Sequence, residues 1–247
     1  MRDAILELGM DAGYVPRTVA QDAVNIFLDA ALIQDWSVVP ANSIIFNLEQ
    51  LGSTSNLLTS DYIAKLKSYQ IWDYSLRNID FLKKNGVQNS HYVPIGYSKT
   101  LARPTLQVPK DIDVLFYGYL NDRRQHVLDQ IKPFAKVVAT QGTYGDELFE
   151  LIARAKIVLN LHFYSTHIFE AVRVSYLLAN KTAVLSEVNV DTDIPAHYHG
   201  SICSAPYELL PEACMRLLQN EPQRRYLEEM GNKIFSRFPM SGFLPIR

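Results

Sequence analysis

Residues 155–187 read AKIVLNLHFYSTHIFEAVRVSYLLANKTAVLSE, and their reading decides the fold. Ile157 to Leu161 is a short β-branched and apolar run, Phe169 to Ala179 has helical spacing, and Thr182 to Leu185 is apolar again. That order predicts strand, loop, helix, strand. Two buried parallel strands joined by a helix make a crossover unit. Ligands of such sheets lie beyond the carboxyl ends of the strands, so the loop from His162 to Phe169 is expected to face whatever binds. Along the helix, Phe169, Val172, Tyr176 and Ala179 make one apolar face and Val174 with Leu178 another, which predicts a buried helix. Glu170 and Arg173 interrupt it, three apart in the first turn, where a carboxylate needs an answering group. A plain Arg–Glu pair on a solvated edge would also account for them.

Working outward, the alternation recurs. In the second half, strands are expected at Asp113–Tyr117, Lys136–Ala139 and Ser201–Cys203, and helices at Arg123–Ile131, Asp146–Ala155, Pro206–Gln219 and Pro222–Phe235. The first half gives a helix from Ala4 to Gly13, strands at Val24–Leu28, Ser43–Leu48, Gln70–Trp72 and Tyr92–Gly96, and helices at Asp61–Tyr69 and Leu76–Lys84. Periodicity disappears between Ser98 and Lys110, where Pro104 and Pro109 mark a linker. Alternating strands and helices without hairpin signals mean a parallel sheet covered on both faces. The fold class expected is therefore α/β, two Rossmann-like parallel-sheet domains facing a cleft. Their bounds are 1–98 (reduced), the linker 99–110, a second domain 111–221, and a helix and tail 222–247 that could pack back on the first.

With 247 residues and 28.1 kDa the chain can bury a full core. A net charge of -2 argues against non-specific grip on nucleic acid. No apolar run approaches the ~18 residues of a membrane span, and the acidic start Met1–Glu7 is not a signal peptide. Two cysteines, Cys203 and Cys214, point to a reducing compartment and a cytoplasmic location. In that setting the sequon Asn180-Lys181-Thr182 is without consequence.

The strand before Tyr117-Gly118-Tyr119-Leu120-Asn121-Asp122-Arg123-Arg124 runs through a glycine into a helix. Glycine lets a ligand approach the backbone, the helix N-terminus offers free N–H groups, and two arginines add charge, which suits a pyrophosphate. Alternatively Asp122 caps the helix and the arginines face water. Thr140-Gln141-Gly142-Thr143-Tyr144-Gly145 follows the next strand, where the two glycines, Gly142 and Gly145, with Tyr144 could bracket a flat base or form a mere turn.

Phe116-Tyr117-Gly118-x5-Arg124, the Tyr144-Gly145 turn, Ile152 to Asn160, Phe169-Glu170-x2-Arg173 and Ala183 to Glu187 together resemble the carboxyl-terminal half of GT-B glycosyltransferases, particularly the bacterial group 1 and spore-maturation-like branch. The resemblance covers residues 111–190 and extends to the first half only in layout. It implies a half that holds a nucleotide sugar, with Gly118 and Arg123 or Arg124 at the diphosphate, Glu170 on hydroxyls and Arg173 as a second phosphate partner. Retaining members often carry two glutamates eight apart around this helix; here only Glu170 is acidic.

A catalytic base is sought at strand ends of the first half, in Glu49 or Asp73, either of which could take a proton from an acceptor hydroxyl. Asp73 could equally be a helix cap. His162, Tyr164 and His167 lie in the key loop and could contact phosphate or the departing group, or the histidines could simply pack beside Tyr164. His197 and His199 lack a third ligand, so no metal is expected.

The reading is a metal-independent glycosyltransferase acting from a nucleotide sugar, a co-substrate rather than a cofactor. The acceptor is a glycan, a lipid-linked group, a protein or a small molecule, and a homo-oligomer is open. The alternatives are a non-catalytic nucleotide-binding module or partner subunit, and a sugar-nucleotide epimerase or hydrolase.

Overall fold

The computed structural model describes residues 1–16, 18–28, 30–52, 60–164 and 168–246. The chain divides into two compact units, Met1–Ile95 with Met240–Arg247 (unit 1) and Gly96–Pro239 (unit 2).

Unit 1 contains helix α1 (Arg2–Glu7), strands β1 (Ile26–Leu28) and β2 (Ile44–Asn47), helix α2 (Ser60–Leu66), strand β3 (Gln70–Asp73), helix α3 (Leu76–Lys84) and strand β4 (Ser90–Tyr92). Its sheet is parallel, in the order β1-β2-β3-β4. Helix α1 stops short of the expected Gly13 because Gly9, at φ +77°, already makes the left-handed turn that closes a helix. Strand β4 lies earlier than the Tyr92–Gly96 run, since Pro94 has no N–H to extend the ladder. Alternation along the strands sorts the core: Ile45 and Ile71 pack with Tyr62, Ile63 and Leu66 of α2 and Leu82 of α3. Their neighbours Phe46 and Trp72 meet edge to face with ring centroids 6.2 Å apart.

Unit 2 contains β5 (Ile112–Tyr117), α4 (Asp122–Ile131), β6 (Val137–Thr140), α5 (Gly145–Arg154), β7 (Ala155–Asn160), α6 (Ala171–Ala179), β8 (Val184–Glu187), β9 (Cys203–Ala205), α7 (Leu210–Gln219) and α8 (Glu221–Phe235). All five strands are parallel, in the order β6-β5-β7-β8-β9. The stretch that opens the sequence reading therefore supplies the central strand β7, buried along almost its whole length, and its neighbour β8. On one face Val114, Phe116, Ile157, Leu159 and Leu185 pack with α4 and α7. The order runs outward in both directions from the β5–β7 pair, so the chain reverses direction across the sheet there. Such a switch point opens a crevice at the strand ends.

The division between units falls at Ile95 rather than in the proline-bearing stretch 98–110. The reason is local. Asn180, at the end of α6, accepts the Arg103 N–H (2.8 Å) and donates to the Leu101 carbonyl (2.9 Å), which ties that stretch to unit 2. The two ends of unit 2 also lie side by side, because Tyr97 N–H donates to the Phe238 carbonyl (2.8 Å) and Tyr97 bridges to Pro239. Helix α8 packs on α6 and α7 within unit 2, and only the segment from Met240 returns to unit 1, where it meets α1.

Helix α8 approaches its neighbours through Gly231. A Cβ there would lie 2.6 Å from the Ser201 carbonyl oxygen and 3.1 Å from Leu178 Cδ2. Because a backbone oxygen cannot rotate away, Gly231→Ala is expected to destabilise unit 2 by about 1–3 kcal/mol. Faster amide exchange in α8 peptides is the readout, and unchanged exchange would contradict the packing.

Candidate functional site

The carboxyl ends of β5 and β7 flank the switch point, and the chain puts chemistry at both. After β5, Gly118 takes φ +131°, a conformation that L side chains rarely adopt. A Cβ added there would sit 3.0 Å from Arg173 Nη2 and 3.6 Å from Arg124 Nη1, so only the absence of a side chain lets two guanidinium groups converge on this backbone. Helix α4 then begins, capped by Asn121, whose Oδ1 accepts the Arg124 N–H at 3.0 Å. Asp122, the cap in the alternative reading, is the first helical residue and exposed.

Arg124 points inward and is 3% exposed. Its Nε and Nη2 donate to the Leu161 carbonyl (3.1 and 2.5 Å), Nη1 to the Tyr119 carbonyl (2.7 Å), and Nη2 to Glu170 Oε1 (2.9 Å). Burial lowers its pKa to about 10 while Glu170 pulls it upward, so it remains a cation at neutral pH. Glu170 occupies the N-cap position of α6 and also pairs with Arg173, Oε2 to Nη1 at 3.0 Å. The i,i+3 pair thus exists, but both side chains are only 14% exposed and a second arginine shares the carboxylate, so it is not a solvated edge pair. Arg173 Nη1 also donates to Asn160 Oδ1 at 3.1 Å. Among the described residues, the hydrogen bonds of Arg173 all run through Nη1, which leaves Nη2 directed at the space over Gly118.

Arg123, next to Arg124 in sequence, turns to a different partner. Its Nη1 donates to Glu187 Oε2 (2.7 Å) and to the His162 carbonyl (3.2 Å), and its Nη2 closes a two-pronged pair on Glu187 Oε1. The guanidinium lies 3.9 Å from the ring centroid of Tyr207, whose hydroxyl donates back to the Arg123 carbonyl (2.9 Å). Glu187 ends β8 fully buried and was not among the residues that sequence reasoning singled out for the site. Besides Arg123 it accepts the His162 N–H (3.0 Å) and Asn189 Nδ2 (2.7 Å). Burial pushes its carboxyl upward, but Arg123 and the other donors prevail and hold it below the ordinary value. A carboxylate that interrupts the end of an apolar strand was the available signal.

His162 is fully buried and held through its backbone, while Tyr164 meets Phe163 edge to face at 4.8 Å. His167 lies outside the described residues. Tyr144 precedes α5, 73% exposed beside Gly145 (φ +62°), and Tyr119 stands 69% exposed after Gly118; Tyr119 is a second flat surface at this rim that sequence reasoning did not select. His197 packs between Tyr198 (4.4 Å) and Phe235 (6.3 Å) as part of an aromatic cluster.

In unit 1, Glu49 follows β2 and is half-buried. Asp73 ends β3 fully buried at the centre of a polar network. It accepts Ser75 N–H (2.8 Å), Asn47 Nδ2 (2.6 Å) and Asn78 Nδ2 (2.9 and 3.1 Å). Both amides also donate to the Glu49 carbonyl (2.9 and 2.8 Å), so the network fixes the Glu49 backbone. The cap of α3 is Ser75, whose Oγ accepts the Asn78 N–H at 3.4 Å.

No family model matches the chain. Two curated mimivirus proteins of Acanthamoeba polyphaga mimivirus are similar in sequence: uncharacterized protein L140, 29% identical over 188 residues, and uncharacterized protein L137, 25% identical over 194. The matches take in 72% and 73% of this chain but 60% and 25% of those longer proteins. Among solved structures, a sucrose-phosphate synthase from Thermosynechococcus elongatus is similar at a TM-score of 0.54 and 12% identity, covering 81% of this chain and 65% of that one. A glycosyltransferase from Rickettsia africae gives 0.53 at 11% identity, covering 81% and 67%, and TarM gives 0.53 at 8%, covering 82% and 49%. The structural neighbours are glycosyltransferases, and the α/β fold with two parallel sheets is that of the GT-B class.

Proposed function

We propose that the chain is a glycosyltransferase that takes its sugar from a nucleotide-sugar donor, and that within the GT-B fold it stands nearest the group 1 and spore-maturation-like branch. The observation that carries this reading is the uncommitted Nη2 edge of Arg173 facing the bare backbone of Gly118. A guanidinium edge above backbone unshielded by a side chain, beside a second buried arginine, suits the diphosphate of a leaving group. The N-terminus of α4 adds favourable potential at the same rim. Charge on the departing diphosphate is then met without requiring a metal ion. Glu170, already shared between two arginines, accepts from donor hydroxyls, and the Tyr144-Gly145 turn, with Tyr119, offers flat surfaces for a base. Glu49 serves as the base toward the acceptor, its backbone held by Asn47 and Asn78. Asp73, buried beneath them, acts by fixing that backbone.

The test is a thermal-shift screen with UDP, GDP, ADP, CMP and their sugars, since a ligand selective for the folded state raises the melting temperature. Calorimetry on Arg173→Ala follows. Loss of hydrogen bonds to a charged group is worth about 1.5–3 kcal/mol, so affinity for the nucleotide that binds is expected to fall about 10- to 150-fold. Equal affinity in parent and variant would remove the reading. A binding module without transfer activity is favoured by one observation, that Asp73 has no exposed surface for an acceptor to reach. Turnover of a sugar nucleotide that is lost in Glu49→Gln would exclude it.

A further inference from the structure

Four side chains bond to the backbone of the residues just after β7. The Leu161 carbonyl is held by Arg124, the His162 carbonyl by Arg123, the His162 N–H by Glu187, and the Phe163 carbonyl by Asn121 Nδ2 at 3.0 Å. Three of these four holders come from the start of α4 and one from the end of β8. Irregular backbone beyond a strand has no ladder to satisfy it, so its N–H and C=O groups need such partners.

We infer that Arg123 and Glu187 are positioning residues: the pair of a half-buried Arg123 with a buried Glu187 fixes the loop backbone at His162, and Arg123 does not itself hold the donor's phosphates. Three observations converge on this. Both terminal nitrogens of Arg123 are committed to Glu187, and one of them also to the His162 carbonyl. The face of its guanidinium is covered by Tyr207. Glu187 receives donors on both oxygens, from Arg123, His162 and Asn189, and Asn189 Oδ1 in turn accepts the Tyr207 N–H (3.2 Å), which closes the network on itself. A planar fork on a carboxylate is a geometric constraint as well as a charge pair. Its effect here is to set where Leu161 to Phe163 run, and through the Leu161 carbonyl where Arg124 and hence Glu170 stand. Both adjacent arginines thus brace backbone, Arg123 at His162 and Arg124 at Leu161 and Tyr119, and contact with the ligand is left to Arg173, a division that rests on the proposed donor site.

The first measurement needs no nucleotide. Amide exchange of the full chain is followed at residues 160–164 in Glu187→Gln and Arg123→Lys, both of which keep a similar shape. Protection at the His162 amide is expected to fall about tenfold or more in each, with β5 and α8 unchanged. Unchanged protection at His162 in both variants overturns the inference. The second measurement is a double-mutant cycle by calorimetry with UDP, GDP and ADP. Arg123→Ala on a Glu187→Gln background is expected to lose no further affinity, because the loop is already released. A further loss of tenfold or more would mean that Arg123 touches phosphate, and would overturn the inference as well. If the parent binds none of these nucleotides, the donor-site reading fails, while the exchange result still decides the brace.

Discussion

Arg124→Ala is expected to cost unit 2 about 3–5 kcal/mol, the usual consequence of breaking a buried ion pair from one side. The guanidinium is 3% exposed and meets three groups at once: the Leu161 carbonyl, the Tyr119 carbonyl and Glu170. It also lies 5.0 and 5.2 Å from the ring centroids of Phe163 and Phe116, so the loss includes packing as well as charge. Alanine leaves two carbonyl oxygens unmet in a place water does not reach readily, and leaves Glu170 to Arg173 alone. Lysine keeps the charge but cannot reproduce the fork, and is expected to recover less than half of the loss. Urea titrations followed by the exchange protection of β5 and β7 peptides measure the effect, and a loss below about 1 kcal/mol would show that Arg124 is more solvated than its contacts imply.

Stability of unit 1 is expected to decline as pH rises from about 5 to about 8, with Asp73 as the cause. Burial pushes its carboxyl from 3.8 up to about 8, although hydrogen bonds from Ser75, Asn47 and Asn78 act in the opposite direction. A carboxyl with a raised folded pKa keeps its proton in the folded chain where the unfolded chain has released it. Its stabilising contribution is thus complete at low pH and is lost toward the folded value, at up to about 1.4 kcal/mol per pH unit. Both tryptophans, Trp36 and Trp72, belong to unit 1, so their fluorescence during urea unfolding reports on this unit. Asp73→Asn should flatten the pH slope that the parent shows. It should also be weaker at low pH, because an amide brings two donor hydrogens where the protonated carboxyl brings one, among partners that all donate. A parent and variant with the same slope would assign the pH dependence elsewhere.

The central strand of unit 2 was legible from its apolar run of Ile157, Val158 and Leu159, and the burial of α6 was legible for Val174, Leu178 and Ala179 but not for Val172, which is exposed, or Tyr176, which is half-buried. Gly118, Arg124, Glu170 and Arg173 also meet at one place, which follows from their positions near the ends of β5 and β7 beside the switch point. What sequence hides is direction. Arg123 and Arg124 look equivalent on paper, but successive residues on a helix point about 100° apart, and here they answer different glutamates. Glu187 reads as a polar residue after a strand, and only the fold shows it enclosed. The Asp73 network was equally out of reach, since it joins Asn47, Asp73 and Asn78 across two strands and a helix. No local pattern signals a contact over such separations, whereas the cap of α3 needed only the neighbouring Ser75.

The segment that returns from Pro239 to unit 1 has a bearing on how the protein is made. Met240 and Leu244 are buried in that unit, and Ser241 bonds to Glu7 of α1 at 2.7 Å. A ribosome delivers them only after all of Gly96–Pro239, about 7–29 s later at about 5–20 residues per second. During that interval residues 1–95 lack part of their own interior, and the inserted unit gains its last partner for the Tyr97–Phe238 clasp only as the interval ends. The earlier sheet must therefore wait, open to chaperones, for the chain to come back to it.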